Sequence, residues 1–105
     1  MKSISAEELK SRMDAGEKIN LVDVREPSEN ADFNIGGQLV PLGKIQTMQT
    51  DDIDDLKEEE VILYCRSGNR SGQACLLLDT FGFKNTKNLT GGMLAWTEKF
   101  GVGSR

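Results

Sequence analysis

The sequence predicts an α/β fold in which a largely parallel central sheet is flanked by helices on both faces. Short apolar or β-branched runs alternate along the chain with segments whose apolar residues recur every three or four positions. The length of 105 residues is enough for one hydrophobic core but not for two. We therefore expect a single domain over residues 1–105, with 101–105 as a frayed tail.

The first elements are predicted from capping residues and from one apolar run. Ser5 and Glu8 have the spacing of a capping box, which predicts a helix directly at the N-terminus. The run 19–24 predicts a buried strand, with Asp23 near its carboxyl end. Pro27 suits the first position of a short helix.

The remaining elements continue the alternation. In chain order they are a glycine-rich loop (34–43) with a short strand (38–40), one or two short helices (44–60), a strand (61–65), a helix (72–81) capped by Gly82, a strand (86–89) and a helix (91–100). The strand 61–65 and the helix 72–81 are the clearest of these. Gly91 and Gly92 are expected to let the last helix, with Trp96, pack closely, or to form a wall of the site entrance.

Composition narrows the class of partner. The net charge is −4 and the chain has no run of lysines or arginines, so no nucleic-acid partner is expected. The acidic cluster at 51–60 is interpreted as a solvated face. Because no apolar stretch approaches the roughly 20 residues that span a bilayer and no signal-peptide core follows Met1, we expect no membrane association and a cytoplasmic location. We further expect a monomer.

The cysteine and histidine content limits the chemistry. Cys65 and Cys75 are too few for a disulfide scaffold. The chain has no histidine, which excludes Cys-His and Ser-His catalysis and argues against a zinc site. No metal and no organic cofactor is therefore implied. We interpret Cys75 as a core residue, the alternative being a resolving thiol.

Cys65 ends the clearest strand, and the polar loop 66–70 leads from it into the clearest helix. Backbone N–H groups at a helix N-terminus are free to stabilise an anion, and the reactive form of cysteine is the anionic thiolate. This arrangement predicts a nucleophilic cysteine in an anion-binding loop with a lowered pKa; the alternative is an ordinary buried cysteine.

Three motifs resemble the single-domain rhodanese-like sulfurtransferase family, over about residues 4–100. They are Asp-Val-Arg-Glu at 23–26, Cys-Arg-Ser-Gly-Asn-Arg-Ser at 65–71 and Gly-Gly-Met-Leu-Ala-Trp at 91–96. The resemblance implies a rhodanese-like fold and a Cys65 persulfide. The persulfide would form from a small anionic sulfur donor such as thiosulfate and pass to cyanide or a thiol, protein thiols included.

The expected site is built around this loop. Its backbone amides would converge on a charged sulfur, and Gly68 permits the positive φ that such a loop often needs. The expected substrate-binding residues are Arg66, Ser67, Gly68, Asn69 and Arg70, and the expected supports of the loop are Asp23, Arg25 and Ser71. The side chains of Arg66, Ser67 and Asn69 should point outward, with Arg66 meeting substrate and Arg70 bracing the loop.

Two rival functions stay open. A sulfur-relay module would use the same cysteine loop with little turnover of small donors. A cysteine phosphatase or an arsenate reductase is disfavoured, because phosphatases of this type have five residues between cysteine and arginine, whereas four separate Cys65 from Arg70. A smaller ring of amides suits a sulfur atom better than a phosphate.

Three supporting residues have alternative interpretations. Asp23 would either bond the cysteine loop or cap the next turn. Arg25 and Glu29 are expected to form an ion pair across a turn, with a structural role favoured; the alternative, which the resemblance implies, is a pair near the mouth of the active site. Asn34 stands where many members of the resembled family have a histidine. We expect it to replace that histidine's hydrogen bonds and to have no role in proton transfer.

Overall fold

The computed structural model describes residues 1–102, and within them five parallel strands form one sheet in the order β1-β5-β4-β2-β3. The strands are β1 (Lys2–Ile4), β2 (Leu21–Asp23), β3 (Gln38–Leu39), β4 (Glu60–Tyr64) and β5 (Asn85–Leu89). The helices are α1 (Ala6–Asp14), α2 (Pro27–Asp32), α3 (Leu42–Gln46), α4 (Asn69–Thr80) and α5 (Gly92–Phe100), with a 3₁₀ helix at Asp51–Leu56. The predicted α/β class with a parallel sheet is confirmed.

Helices cover both faces of the sheet, and strand β4 separates the two cores. Successive side chains of a strand point to opposite faces. Val61 and Leu63 pack in one buried cluster, with Cys65 following in the same alternation, against α3, the 3₁₀ helix and α4. Ile62 and Tyr64 pack in the other cluster, against α1 and α5. Cys65 therefore lies on the α4 side of the sheet.

Strand β1 was not predicted. It lies at the edge of the sheet, where it pairs with β5 alone, and Ile4 is its one buried residue. A three-residue edge strand with one buried side chain has no alternating pattern to recognise. Helix α4 also begins three residues earlier than expected, at Asn69, because Gly68 adopts a left-handed φ of 104° and turns the chain into the helix.

The parallel register brings three chain segments to one edge of the sheet. Asp23 is opposite Tyr64, and Leu63 is opposite Asn88. The carboxyl ends of β2, β4 and β5 therefore lie side by side, and the segments that follow them meet there. In open parallel sheets this edge is where ligands bind.

Within residues 1–102 no helix is both long and apolar enough to cross a bilayer. The expected frayed tail lies partly outside the described residues, since 103–105 are not described; Gly101 still donates from its backbone N–H to the carbonyl of Thr97, which ends α5.

Candidate active site

The sulfur of Cys65 lies inside the loop that joins β4 to α4. The residue is 1% exposed. The backbone N–H of Gly68 donates to Cys65 Sγ at 3.1 Å, and the hydroxyl of Ser71 lies 3.4 Å from the same sulfur. Gly68 closes this turn with a positive φ, as the sequence predicted. The loop therefore wraps hydrogen-bond donors around one sulfur atom.

The pKa of Cys65 lies below its ordinary value. Burial of the thiol is the largest single influence and raises the pKa, because a buried thiolate loses its hydration. Hydrogen bonds from the Ser71 hydroxyl and from the backbone N–H groups of Ser71, Gly68 and Ser67 outweigh that burial. The thiolate is therefore favoured by the loop itself.

The start of α5 fixes the loop from the opposite side. The backbone N–H groups of Met93 and Leu94 donate to the carbonyls of Cys65 and Arg66, each at 2.9 Å. In a planar trans peptide the carbonyl and the following N–H point in opposite directions. Anchoring these two carbonyls on α5 therefore turns the next two N–H groups away from α5.

Gly92 makes this contact possible. Its φ is +53°, and a Cβ atom there would lie 2.4 Å from the carbonyl oxygen of Cys65. Such an approach is much closer than van der Waals contact, so glycine is required for α5 to touch the loop. The expected close packing of the last helix thus acts on the Cys65 loop itself.

Asn88 of β5 is a site residue that sequence reasoning missed. Its Nδ2 donates to the carbonyl of Gly68 at 3.1 Å, and its Oδ1 accepts from the Ser71 hydroxyl at 2.5 Å. The signal in the sequence was an asparagine at the carboxyl end of a predicted strand. That position is at the ligand-binding edge of a parallel sheet, but no local pattern indicates its partners.

Arg70 braces the loop against α2. Its guanidinium makes two hydrogen bonds to the carboxylate of Glu29, at 2.7 and 2.9 Å. This pairing with Arg70 holds the pKa of Glu29 at about 2. The expected ion pair between Arg25 and Glu29 is therefore wrong: Glu29 binds Arg70, because the tertiary fold brings the start of α4 to α2.

Arg25 instead pairs with Asp23, two residues before it. Asp23 Oδ1 accepts from the backbone N–H and from Nε of Arg25, and its Oδ2 accepts from Arg25 Nη2 at 2.9 Å. Asn30 also donates to Asp23, and Arg25 Nη2 donates to the carbonyl of Phe33. Of the two roles expected for Asp23, its contacts are those of the turn cap and not of a direct support of the cysteine loop.

The outer rim of the loop is exposed. Arg66, Ser67 and Asn69 all face solvent, in the orientation expected from the sequence. Arg66 borders a cavity of about 390 Å³, whose lining includes Phe33, Met93 and Leu94. Among residues 1–102 no carboxylate pairs with Arg66, whereas Arg25 and Arg70 each share their charge with one. Arg66 is therefore the arginine at this rim whose charge is available to an anion.

The side chain of Asn34 makes hydrogen bonds to nearby backbone groups. The Asn34 side chain donates to the carbonyl of Asn30 at 3.0 Å and accepts from the backbone N–H of Gly36 at 2.9 Å. These bonds fit the structural role expected for Asn34.

Cys75 lies on α4 and is buried in the core between this helix and the sheet, and burial raises its pKa to about 12. It is therefore a neutral core residue under ordinary conditions.

These contacts define what the site can do chemically. A thiolate at Cys65 would be held by amide and hydroxyl donors, and the next residue, Arg66, places a cationic side chain at the rim of the loop and at the border of the cavity. Such a site can carry out nucleophilic attack on an anionic substrate without a histidine base.

Comparison with known proteins agrees with this chemistry. A family model described as "Rhodanese-like domain" matches residues 5–99. A putative sulfurtransferase of Bacillus subtilis, YtwF, is 42% identical over 98 residues, which cover 91% of this chain and 90% of that protein. A sulfurtransferase of Allochromatium vinosum is 38% identical over 94 residues, covering 89% of this chain and 85% of the relative.

A solved structure extends the match to three dimensions. The crystal structure of a rhodanese-like domain protein from Staphylococcus aureus superposes with a TM-score of 0.81 at 30% identity, covering 100% of this chain and 99% of that one. The sheet, the cysteine loop at its carboxyl edge and these matches over nearly the whole chain lead to one conclusion: the protein belongs to the rhodanese-like domain family of sulfurtransferases.

Proposed function

We propose that this protein transfers a sulfane sulfur through a persulfide on Cys65, from a small anionic donor such as thiosulfate to cyanide or a thiol. The observation that carries the proposal is the set of donors around Cys65 Sγ, from Ser67, Gly68 and Ser71. The backbone N–H groups among these donors also suit the negative outer sulfur of a persulfide, since a thiolate and a persulfide each present a single anionic sulfur atom.

The first half-reaction loads the cysteine. The Cys65 thiolate attacks the outer sulfur of thiosulfate, the sulfur–sulfur bond of the donor breaks, and sulfite leaves with the bonding electron pair. The product is a Cys65 persulfide whose outer sulfur carries the negative charge. Arg66, exposed at the rim, attracts the anionic donor and stabilises the departing sulfite.

The second half-reaction unloads it. Cyanide or a thiolate attacks the outer sulfur, the sulfur–sulfur bond to Cys65 breaks, and the Cys65 thiolate leaves, so the loop regains its starting charge. The cavity beside Arg66, about 390 Å³, lies in the size range of small-molecule sites, roughly 300–1,000 Å³. We assign it to the acceptor, because it offers room for an organic thiol as well as for cyanide.

One relative supports a thiosulfate donor by its name. A putative mitochondrial thiosulfate sulfurtransferase of Schizosaccharomyces pombe is 38% identical over 101 residues, covering 85% of this chain. That name describes the yeast protein, and thiosulfate remains a proposal for this chain.

Intact mass after incubation with thiosulfate tests the loading step. We expect a gain of one sulfur atom that cyanide removes. Cys65→Ser should gain none, whereas Cys75→Ser, which removes the buried cysteine of the same chain, should load like the wild type. If phosphate is released from an aryl phosphate and no sulfur is gained, the cysteine-phosphatase function replaces the one proposed here.

A sulfur-relay function is the second candidate. A putative sulfur carrier protein of Bacillus subtilis, YrkF, is 36% identical over 98 residues, which cover 91% of this chain and 51% of that protein. In a relay the persulfide would form and persist until a partner protein's thiol takes it. Steady-state thiocyanate production separates the two functions: rapid turnover that depends on Cys65 supports the enzyme, and a stable persulfide with negligible turnover supports the relay.

A further inference from the structure

The hydroxyl of Ser71 has two acceptors within reach. Its Oγ lies 2.5 Å from Asn88 Oδ1 and 3.4 Å from Cys65 Sγ, and Ser71 is fully buried, so water does not compete. A hydroxyl carries one proton and can donate to only one acceptor at a time. The direction of that single proton therefore affects the charge that Cys65 can carry.

The orientation of the Asn88 amide follows from its second contact. The carbonyl of Gly68 can only accept a hydrogen bond, so the Asn88 group that meets it at 3.1 Å is the Nδ2 amine. The other end, Oδ1, then faces Ser71 and can only accept. Asn88 is thus a fixed acceptor for the Ser71 proton, and the backbone carbonyl of Gly68 holds it in place.

The charge on the sulfur decides between the two acceptors. A neutral thiol is a weak acceptor, so the Ser71 proton goes to Asn88. A thiolate forms a charge-assisted hydrogen bond, which is stronger than a neutral one, and it can draw the proton away from Asn88. Part of the gain is offset by the bond to Asn88 that is given up.

We propose that Asn88 is a positioning residue that acts through Ser71, holding the hydroxyl proton while the Cys65 sulfur is uncharged and releasing it when the thiolate forms. The inference deepens the proposed function and rests on it for its last step. In a persulfide the negative charge lies on the outer sulfur, so the Ser71 proton returns to Asn88. The buried hydroxyl then has a partner at every stage of the cycle.

Few other charges act on Cys65. In the part of the chain that the structure describes, the groups to consider are Arg70 and Cys75 of α4, Glu29 of α2 paired with Arg70, Arg66 of the loop, and the Asp23–Arg25 pair after β2. Strand β5 offers Asn88 and α5 offers backbone amides, none of which titrates. The pKa of Glu29 is held at about 2 and that of Cys75 is raised to about 12, whereas the pKa of Cys65 is lowered from its ordinary value by the donors of its own loop.

The rate of Cys65 alkylation against pH tests the proposal in four proteins: wild type, Asn88→Ala, Ser71→Ala and the double variant. Alkylation needs no sulfur donor, so the result holds whether or not the protein transfers sulfur. Two shifts of the alkylation midpoint are compared: the shift that Asn88→Ala causes in the wild type, and the shift that it causes in Ser71→Ala. If Asn88 competes for the Ser71 proton, the first shift lies about half a pH unit or more below the second. Equal shifts in the two backgrounds would mean that Asn88 only braces Gly68, and would overturn the proposal.

Asn85→Ala is the matched control for Asn88→Ala. It removes the same residue type from the other end of β5, about 10 Å away along the strand, and should leave the midpoint unchanged. A second measurement avoids changing Asn88 at all. In the wild type the side-chain carbonyl carbon resonance of Asn88 should titrate with the Cys65 midpoint, and it should lose most of that change in Ser71→Ala. A resonance that stays constant in the wild type contradicts the proposal.

Discussion

Gly92→Ala is the substitution for which the structure predicts the largest effect on the loop without touching a side chain of the site. The added Cβ would lie 2.4 Å from the carbonyl oxygen of Cys65 and 2.7 Å from that of Arg66. Both obstacles are backbone atoms, which cannot rotate away as a flexible side chain would. The start of α5 must therefore move off the loop.

The expected cost follows from the contacts that are lost. The hydrogen bonds from Met93 and Leu94 to the loop carbonyls are both 2.9 Å long, and a hydrogen bond contributes about 1 kcal/mol net. Alanine at the φ of +53° adds about 1–2 kcal/mol of backbone strain. We expect Gly92→Ala to lower the free energy of unfolding by about 3 kcal/mol, a large part of the 5–15 kcal/mol typical of a domain.

Urea unfolding and the pH profile of Cys65 alkylation measure the two consequences. Gly16→Ala is the control, because Gly16 also has a positive φ of +79° but has no atom within 4 Å of the position of a Cβ. It should lose about 1 kcal/mol from strain alone and keep the midpoint of Cys65. Gly92→Ala should lose clearly more and should raise that midpoint, since the amides no longer converge on the sulfur.

One pattern of results would contradict this role of Gly92. If Gly92→Ala and Gly16→Ala lose the same stability and show the same Cys65 midpoint as each other, then α5 does not hold the loop in its anion-binding shape.

Three further predictions concern ion pairs and the second cysteine. The pKa of Glu29 in the folded protein is about 2, below its ordinary value of 4.5. The stability that Glu29 adds is therefore complete above pH 4.5 and is lost as the pH falls toward 2. Glu29→Gln should accordingly lower the urea midpoint of unfolding at pH 7 but not at pH 2. Arg12 likewise holds the pKa of Glu60 at about 2, so the stability that Glu60 adds is also present at pH 7 and lost toward pH 2. A Glu60→Gln variant as stable as the wild type at pH 7 would contradict this expectation. Cys75→Ala should cost roughly 1 kcal/mol of stability while sulfur loading persists, and native-state alkylation followed by peptide mapping should modify Cys65 and spare Cys75.

Local signals were enough to predict most of the elements. The hydroxyl oxygen of Ser5 accepts from the backbone N–H of Glu8 at the start of α1, as the capping spacing indicated. Strand β4, which lies between β2 and β5, was recognised because four of its five residues, 61–64, are apolar or aromatic. Strand β1 was missed because its stability comes from pairing with β5, at the other end of the chain.

The candidate site likewise combines features set by local sequence with contacts between distant residues. The position of Cys65, the left-handed Gly68 and the outward direction of Arg66 are properties of one continuous stretch of chain, so they could be read from the residues themselves. The partners of Arg70 and Ser71 could not, since Glu29 is 41 residues from Arg70 and Asn88 is 17 residues from Ser71.

The amino-acid sequence alone therefore determined that a cysteine comes at the end of a central strand segment, directly after Tyr64, and is followed by a loop in which Gly68 takes a left-handed conformation. Folding determined which groups hold that loop in shape. The carbonyls of Cys65 and Arg66 are anchored on α5 because Gly92 leaves no Cβ in the way, and the carbonyl of Gly68 is tied to β5 through Asn88. Contacts of this kind depend on the register of parallel strands, which brings distant residues to one edge of the sheet and leaves no local pattern in the sequence.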